Sequence, residues 1–147
     1  MMTNASIDSG FLLESLTFPL QSLAAAAPDP DDKQPEWGWD WRWKDHDHFE
    51  VGLLFSGPPF DARPEKIEVG VNAVFKIVGE VQTVSVPEFA HGPAVALLFP
   101  YVRQVLDELT SRSPFGRVLL PPTNIVALMS NFDLAESAGA KQHRPGP

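Results

Sequence analysis

The 147-residue chain has no cysteine and only one tyrosine. Without thiols it can form neither a disulfide nor a thiolate metal site, which fits a reducing compartment such as the cytoplasm. No apolar run approaches the roughly 20 residues of a membrane-spanning helix, so membrane insertion is not expected. Phe11-Leu12-Leu13 and the alanines from Ala24 to Ala27 resemble parts of a secretory signal. However, no lysine or arginine precedes Lys33 and Glu14 interrupts the apolar stretch, so no signal peptide is expected either. The phosphate-binding loop, dinucleotide glycine fingerprint, nucleophile elbow and zinc-binding histidine helix are all missing. The sequence therefore calls for no cofactor and singles out no catalytic residue. Basic side chains are scarce, 11 against 19 acidic ones, for a net charge of −8. The imbalance is concentrated in residues 1–95, which hold 15 acidic and 6 basic side chains. Such a body argues against nucleic acid, whose affinity comes mainly from lysine and arginine on phosphate. It favours encounter with basic polypeptide.

What the chain does have is organised as strands first and helices last. Residues 1–10 are polar and expected to be loose. Leu13 to Leu20 alternates as a strand that Pro19 ends or makes an edge. Trp37 to Trp43 is a second extended piece, and Phe49, Val51, Leu53 and Phe55 line one face of a third. From Ile67 to Ile77 apolar residues alternate along a fourth, long strand. This order implies an antiparallel sheet with helices on one face, an α+β domain over residues 11–138. The tail, residues 139–147, is small, basic and proline-rich, and is expected to be disordered.

All four tryptophans fall in one heptapeptide, Trp37-Gly38-Trp39-Asp40-Trp41-Arg42-Trp43. A strand has a period of two, so the indoles share one face and Gly38, Asp40 and Arg42 share the other. Each indole can bury roughly 150–250 Å², worth about 4–6 kcal/mol at ~25 cal/mol per Å². Four together rival the net stability of a domain, about 5–15 kcal/mol. The stripe must therefore pack against the protein's own helices, another subunit or a bound chain.

The helical signal is strongest after Leu98. Leu98, Val102, Val105, Leu106 and Leu109 recur at three and four residues, with Arg103, Gln104, Asp107 and Glu108 opposite them. Pro100 is expected in the first turn, where its missing N–H costs little. Arg103 and Asp107 stand one turn apart and can pair. Pro114 and Gly116 end the helix, and a second helix is expected to finish near Leu128.

The run Leu98-Phe99-Pro100-Tyr101 with Arg103, then Phe115, Leu119-Leu120 and Pro122-Thr123-Asn124, resembles the SecB family of bacterial export chaperones. Gln34-Pro35-Glu36 before the tryptophans, and Phe75-Lys76-Ile77-Val78-Gly79, resemble the family's strand signatures. The resemblance spans residues 16–128. It implies a four-stranded antiparallel sheet with the C-terminal helices on one face, assembled as a homotetramer through the sheet edge and the long helix. It also implies an ATP-independent holding chaperone rather than an enzyme. Its clients would be unfolded preproteins or an antitoxin, with docking to the SecA motor. The expected polypeptide-binding residues are Trp37, Trp39, Trp41, Trp43, Phe18 and Phe75. Those expected to pack the long helix and the oligomer are Phe99, Tyr101, Val102, Val105, Leu106 and Leu109.

Two departures point to a specialised relative, such as a chaperone of a toxin–antitoxin system. Residues 80–92 read as strand-like, with Val84 and Val86 alternating, where the family has a helical piece. The tail from Lys141 is basic. Two other classes stay open: a carrier or enzyme for a small apolar ligand enclosed by the indoles, and a purely structural oligomerisation domain. His46 and His48 with Asp45 or Asp47 have metal-ligand spacing, but they read as a solvated bend between strands.

Overall fold

Alternation of apolar residues decides the sheet. In the computed structural model, which describes residues 10–25, 36–57, 65–79 and 84–147, the strands are β1 (Phe11–Ala25), β2 (Glu36–Trp43), β3 (His48–Gly57) and β4 (Glu65–Ile77). They form a single sheet in the order β1-β4-β3-β2, with every neighbouring pair antiparallel. Trp37, Trp39, Trp41 and Trp43 pair with Phe55, Leu53, Val51 and Phe49. Those residues in turn pair with Val69, Val71, Ala73 and Phe75. One face is thus apolar across three strands, and Phe49, Val51, Leu53, Phe55, Val69, Val71, Ala73 and Phe75 are fully buried on it.

β1 is an edge strand, as Pro19 suggested, but it does not end there. Its register against β4 shifts between Thr17 and Leu20. Proline therefore sits in an irregularity of the ladder, where its missing N–H is tolerated.

Among the described residues, four α-helices lie on the apolar face: α1 (Val86–His91), α2 (Pro93–Thr110), α3 (Ile125–Met129) and α4 (Ala138–Lys141). α1 corrects the strand-like reading of residues 80–92. Ser85 Oγ accepts the Glu88 N–H and Pro87 sits in the first turn, so cap and proline outweigh a two-residue alternation. Residues 80–83 lie outside the described residues. α2 starts five residues earlier than the sequence predicts, because Ala94 and Val95 extend the buried stripe. Pro93 takes the helix start, and Pro100 lies inside the helix rather than in its first turn. Pro100 is exposed. Phe99, Val102, Val105 and Leu106 are buried beneath the helix, Leu109 is half-buried, and Tyr101 is exposed. Asp107 pairs with Arg117 rather than Arg103, with Nε to Oδ1 at 2.8 Å and the second guanidinium nitrogen to Oδ2 at 3.3 Å.

The tail also differs from expectation. Residues 138–145 follow the end of β2 and the bend after it, and Gly139 is buried against the Trp41 ring. The expectation of disorder rested on the tail's lack of large apolar side chains. Here the indole supplies the apolar surface and the missing side chain permits the contact.

Candidate functional site

The indole stripe divides into two halves with different surroundings. At the first half, Trp37 and Trp39 are half-buried. The Trp37 ring lies 5.2 Å from Phe55 and 5.6 Å from Phe99. Trp39 Nε1 donates to the Ala90 carbonyl at 3.0 Å. Its ring meets His91 edge-on at 5.1 Å and Phe132 at 6.0 Å. His91 Nε2 in turn lies 2.8 Å from the Phe132 carbonyl, a contact in which the ring N–H donates.

Beyond His91 opens an apolar groove of about 620 Å³. One wall is the α1–α2 junction, with Pro93 and Ala96. The other is α3, with Ile125, Val126 and Met129. Asn124 starts that wall, its side chain accepting the Ala127 N–H at 3.2 Å. Val126 is 81% exposed, a large apolar side chain presented to solvent. The polar residues Glu88 and Ser130 also border the groove, and both are exposed. His91 lines the groove on one side and meets the Trp39 ring on the other, so the indole stands one residue back from the groove.

At the second half, Trp41 and Trp43 are buried. Gln142 bonds both main-chain groups of Trp43: Oε1 accepts its N–H at 2.8 Å, and Nε2 donates to its carbonyl at 3.2 Å. The Arg144 guanidinium stands 5.1 Å from the Trp43 ring centroid. These two indoles are core residues in this conformation, not open to a bound chain. Phe75 is likewise in the core, stacked on Phe49 at 5.5 Å. Phe18 is half-buried and meets Tyr101 at 6.3 Å, away from the groove. The groove residues of α3 and Phe132 escaped the sequence reading. The Asn124 cap could have located the helix, but which of its faces stays open depends on packing.

The bend between β2 and β3 keeps its carboxylates largely exposed but ties them together through His48. His48 Nδ1 lies 2.8 Å from Asp45 and 2.9 Å from Asp47, and its Nε2 lies 3.0 Å from Glu14 of β1. The hydrogen bond to Asp45, backed by all three carboxylates, raises the His48 pKa above its usual 6.5 although partial burial opposes this. The same bond lowers the Asp45 pKa. Asp45, Asp47 and His48 are close enough together to hold a cation. The His48 ring bridging the three carboxylates already accounts for the arrangement.

A four-stranded antiparallel sheet covered on one face by helices makes this an α+β protein, and its fold is SecB-like. The chain belongs to the SecB family, described as preprotein translocase subunit SecB, whose pattern matches residues 45–133. Its fold is similar to that of a Mycobacterium tuberculosis SecB-like chaperone solved with a peptide from the HigA1 antitoxin. That match has a TM-score of 0.61 at 15% identity and covers 82% of this chain and 95% of the other. A Streptococcus agalactiae protein of unknown function matches with a TM-score of 0.52 at 12% identity, over 76% of this chain and 97% of that one. An uncharacterised protein of Methanocaldococcus jannaschii is 34% identical over 74 residues, half of this chain. The match spans 47% of that relative's length.

Proposed function

We propose that this protein is an ATP-independent holding chaperone that captures unfolded polypeptide in the groove between the α1–α2 junction and α3, with Trp39 and Trp37 as its aromatic flank. The observation that carries this reading is the groove itself: about 620 Å³, apolar, open to solvent and bordered by exposed Val126. Burial of apolar surface is insensitive to sequence order, which suits a binder of many unfolded segments. A small-ligand site would instead enclose its compound and aim polar groups at it. Here Glu88 and Ser130 are exposed at the border, and the His91 Nε2 is engaged by Phe132. The family supports the chaperone reading, and the fold's likeness to a chaperone solved with an antitoxin peptide supports an antitoxin as one client class alongside preproteins. Assembly into a tetramer, docking to SecA and a cytoplasmic setting belong to the same proposal. The free edge of β1 and the exposed Leu97 and Tyr101 on α2 offer the surfaces for assembly.

The test is capture of a permanently unfolded polypeptide, followed by light scattering. A complex heavier than the free protein is expected, and Val126→Glu should weaken it at least tenfold with the melting temperature unchanged. Equal capture by the Val126→Glu variant would remove the groove from the mechanism.

A further inference from the structure

The way the C-terminal segment sits on β2 carries a consequence for that groove. Trp43 turns both its N–H and its carbonyl toward Gln142, hence away from β3. In an antiparallel ladder these directions repeat every second residue, so Trp37, Trp39 and Trp41 turn their main-chain groups to the same outer edge. Trp41 N–H is met there by the Asp40 carboxylate at 2.8 Å, and that same oxygen accepts the Ala138 N–H, also at 2.8 Å. Downstream, Arg144 Nε donates to the His46 carbonyl at 2.8 Å, and His46 Nδ1 lies 2.9 Å from the Pro145 carbonyl. The segment therefore follows the end of β2 and the bend after it. It bonds main chain and covers indole, as a bound polypeptide would.

We propose that residues 138–145 are a strap that closes the Trp41–Trp43 end of the indole stripe, beyond the groove, and must leave for a client held in the groove to extend along the whole outer edge of β2. This rests on the chaperone reading above. Two features mark the strap as displaceable. It seals Trp41, 98% buried by its 2% exposure, while leaving Trp41 Nε1 without a hydrogen-bond partner among the described residues. A buried donor left unpaired is a standing cost, and a client carbonyl at this position would remove it. Moreover, the strap's polar grip comes from exposed residues, Gln142 and Arg144, whose bonds compete with water. Its closest fit is Gly139, where a Cβ would lie 2.3 Å from two ring atoms of Trp41. A client favoured by the vacated edge is an extended segment with small residues opposite Trp41 and a cation opposite Trp43, the pattern the strap itself presents.

The experiment uses fluorescently labelled ribonuclease A, reduced and carboxamidomethylated so that it stays unfolded. Its affinity is measured for the full chain, for a chain ending at Ser137, and for full-length Gly139→Ala and Gln142→Ala. A strap closed nine-tenths of the time would lower apparent affinity about tenfold. The truncated and Gly139→Ala proteins should therefore bind about tenfold tighter, with Gln142→Ala in between. Acrylamide should also quench more of their tryptophan fluorescence. Equal or weaker binding by folded variants, beside a full chain that does bind, would overturn the strap alone. Binding by none of the four proteins would overturn the chaperone reading and the strap with it. Should the truncated chain fail to fold, the two full-length variants decide by the same criterion.

Discussion

His48 illustrates how one side chain can join elements that the sequence keeps apart. Its two ring nitrogens reach Asp45 and Asp47 in the bend on one side and Glu14 in β1 on the other. The folded protein therefore favours the imidazolium. A group whose pKa is raised on folding stabilises the fold fully below its unfolded value, near 6.5, and loses that contribution as pH rises through the folded value. The melting temperature should fall across this window, and His48→Gln should flatten the decline. An unchanged pH profile in that variant would show that the three carboxylates do not act through the imidazole. Asp45 acts in the opposite sense: its lowered pKa contributes stability above about 3.8, lost as pH falls through the folded value. The spacing of Asp45, Asp47 and His48 was visible in the sequence. Glu14 was not, since only the sheet brings β1 near the bend.

At the scale of elements, α2 is the clearest instance of a pattern read correctly in phase and wrongly in extent. Its buried stripe of Leu98, Val102, Val105 and Leu106 follows from spacing alone. Its start does not, because proline at position 100 reads as a helix beginning when Pro93, seven residues earlier, is the true one. An interior proline removes the hydrogen bond to the carbonyl four residues back, here Ala96, and crowds that carbonyl. Since Pro100 is exposed, nothing above it needs the ring. Pro100→Ala should therefore stabilise the protein, by up to about 3 kcal/mol, as read from chemical denaturation. A loss of stability would mean that the ring, or a bend it imposes, is required for packing α2 on the sheet. For the short α1, the cap residue Ser85 was the informative signal and the valine alternation the misleading one.

For the whole molecule, the question is which apolar surfaces the monomer leaves uncovered. On α2, Leu97 and Tyr101 stand one turn apart on the outer face, 48% and 36% exposed. At the start of β1, Leu12 is 53% exposed on a strand that pairs on one side only among the described residues. A free edge and an apolar helix face are the surfaces by which a second copy would be held. Light scattering should report a multiple of the 16.2 kDa chain. Leu97→Glu combined with Tyr101→Glu should lower that mass without changing the circular dichroism of the fold. A wild-type monomer at micromolar concentration would sink the assembly proposal and leave the groove untouched.

Features that depend on neighbours along the chain were legible from residue order. Period-two alternation put the four indoles on one face, the three-and-four spacing chose the inner face of α2, and the absence of thiols and catalytic motifs narrowed the chemistry. The motif around Leu98-Phe99-Pro100-Tyr101 was enough to indicate the family. Which indoles are closed and which stay half-buried near a groove was not legible from residue order. That depends on Gly139, Gln142 and Arg144, about a hundred residues from the tryptophans, meeting Trp41 and Trp43. It depends equally on α3 standing off from the α1–α2 junction to leave about 620 Å³ open. Local periodicity says which way a side chain points, whereas burial depends on what arrives to cover it, and that is a property of the assembled fold.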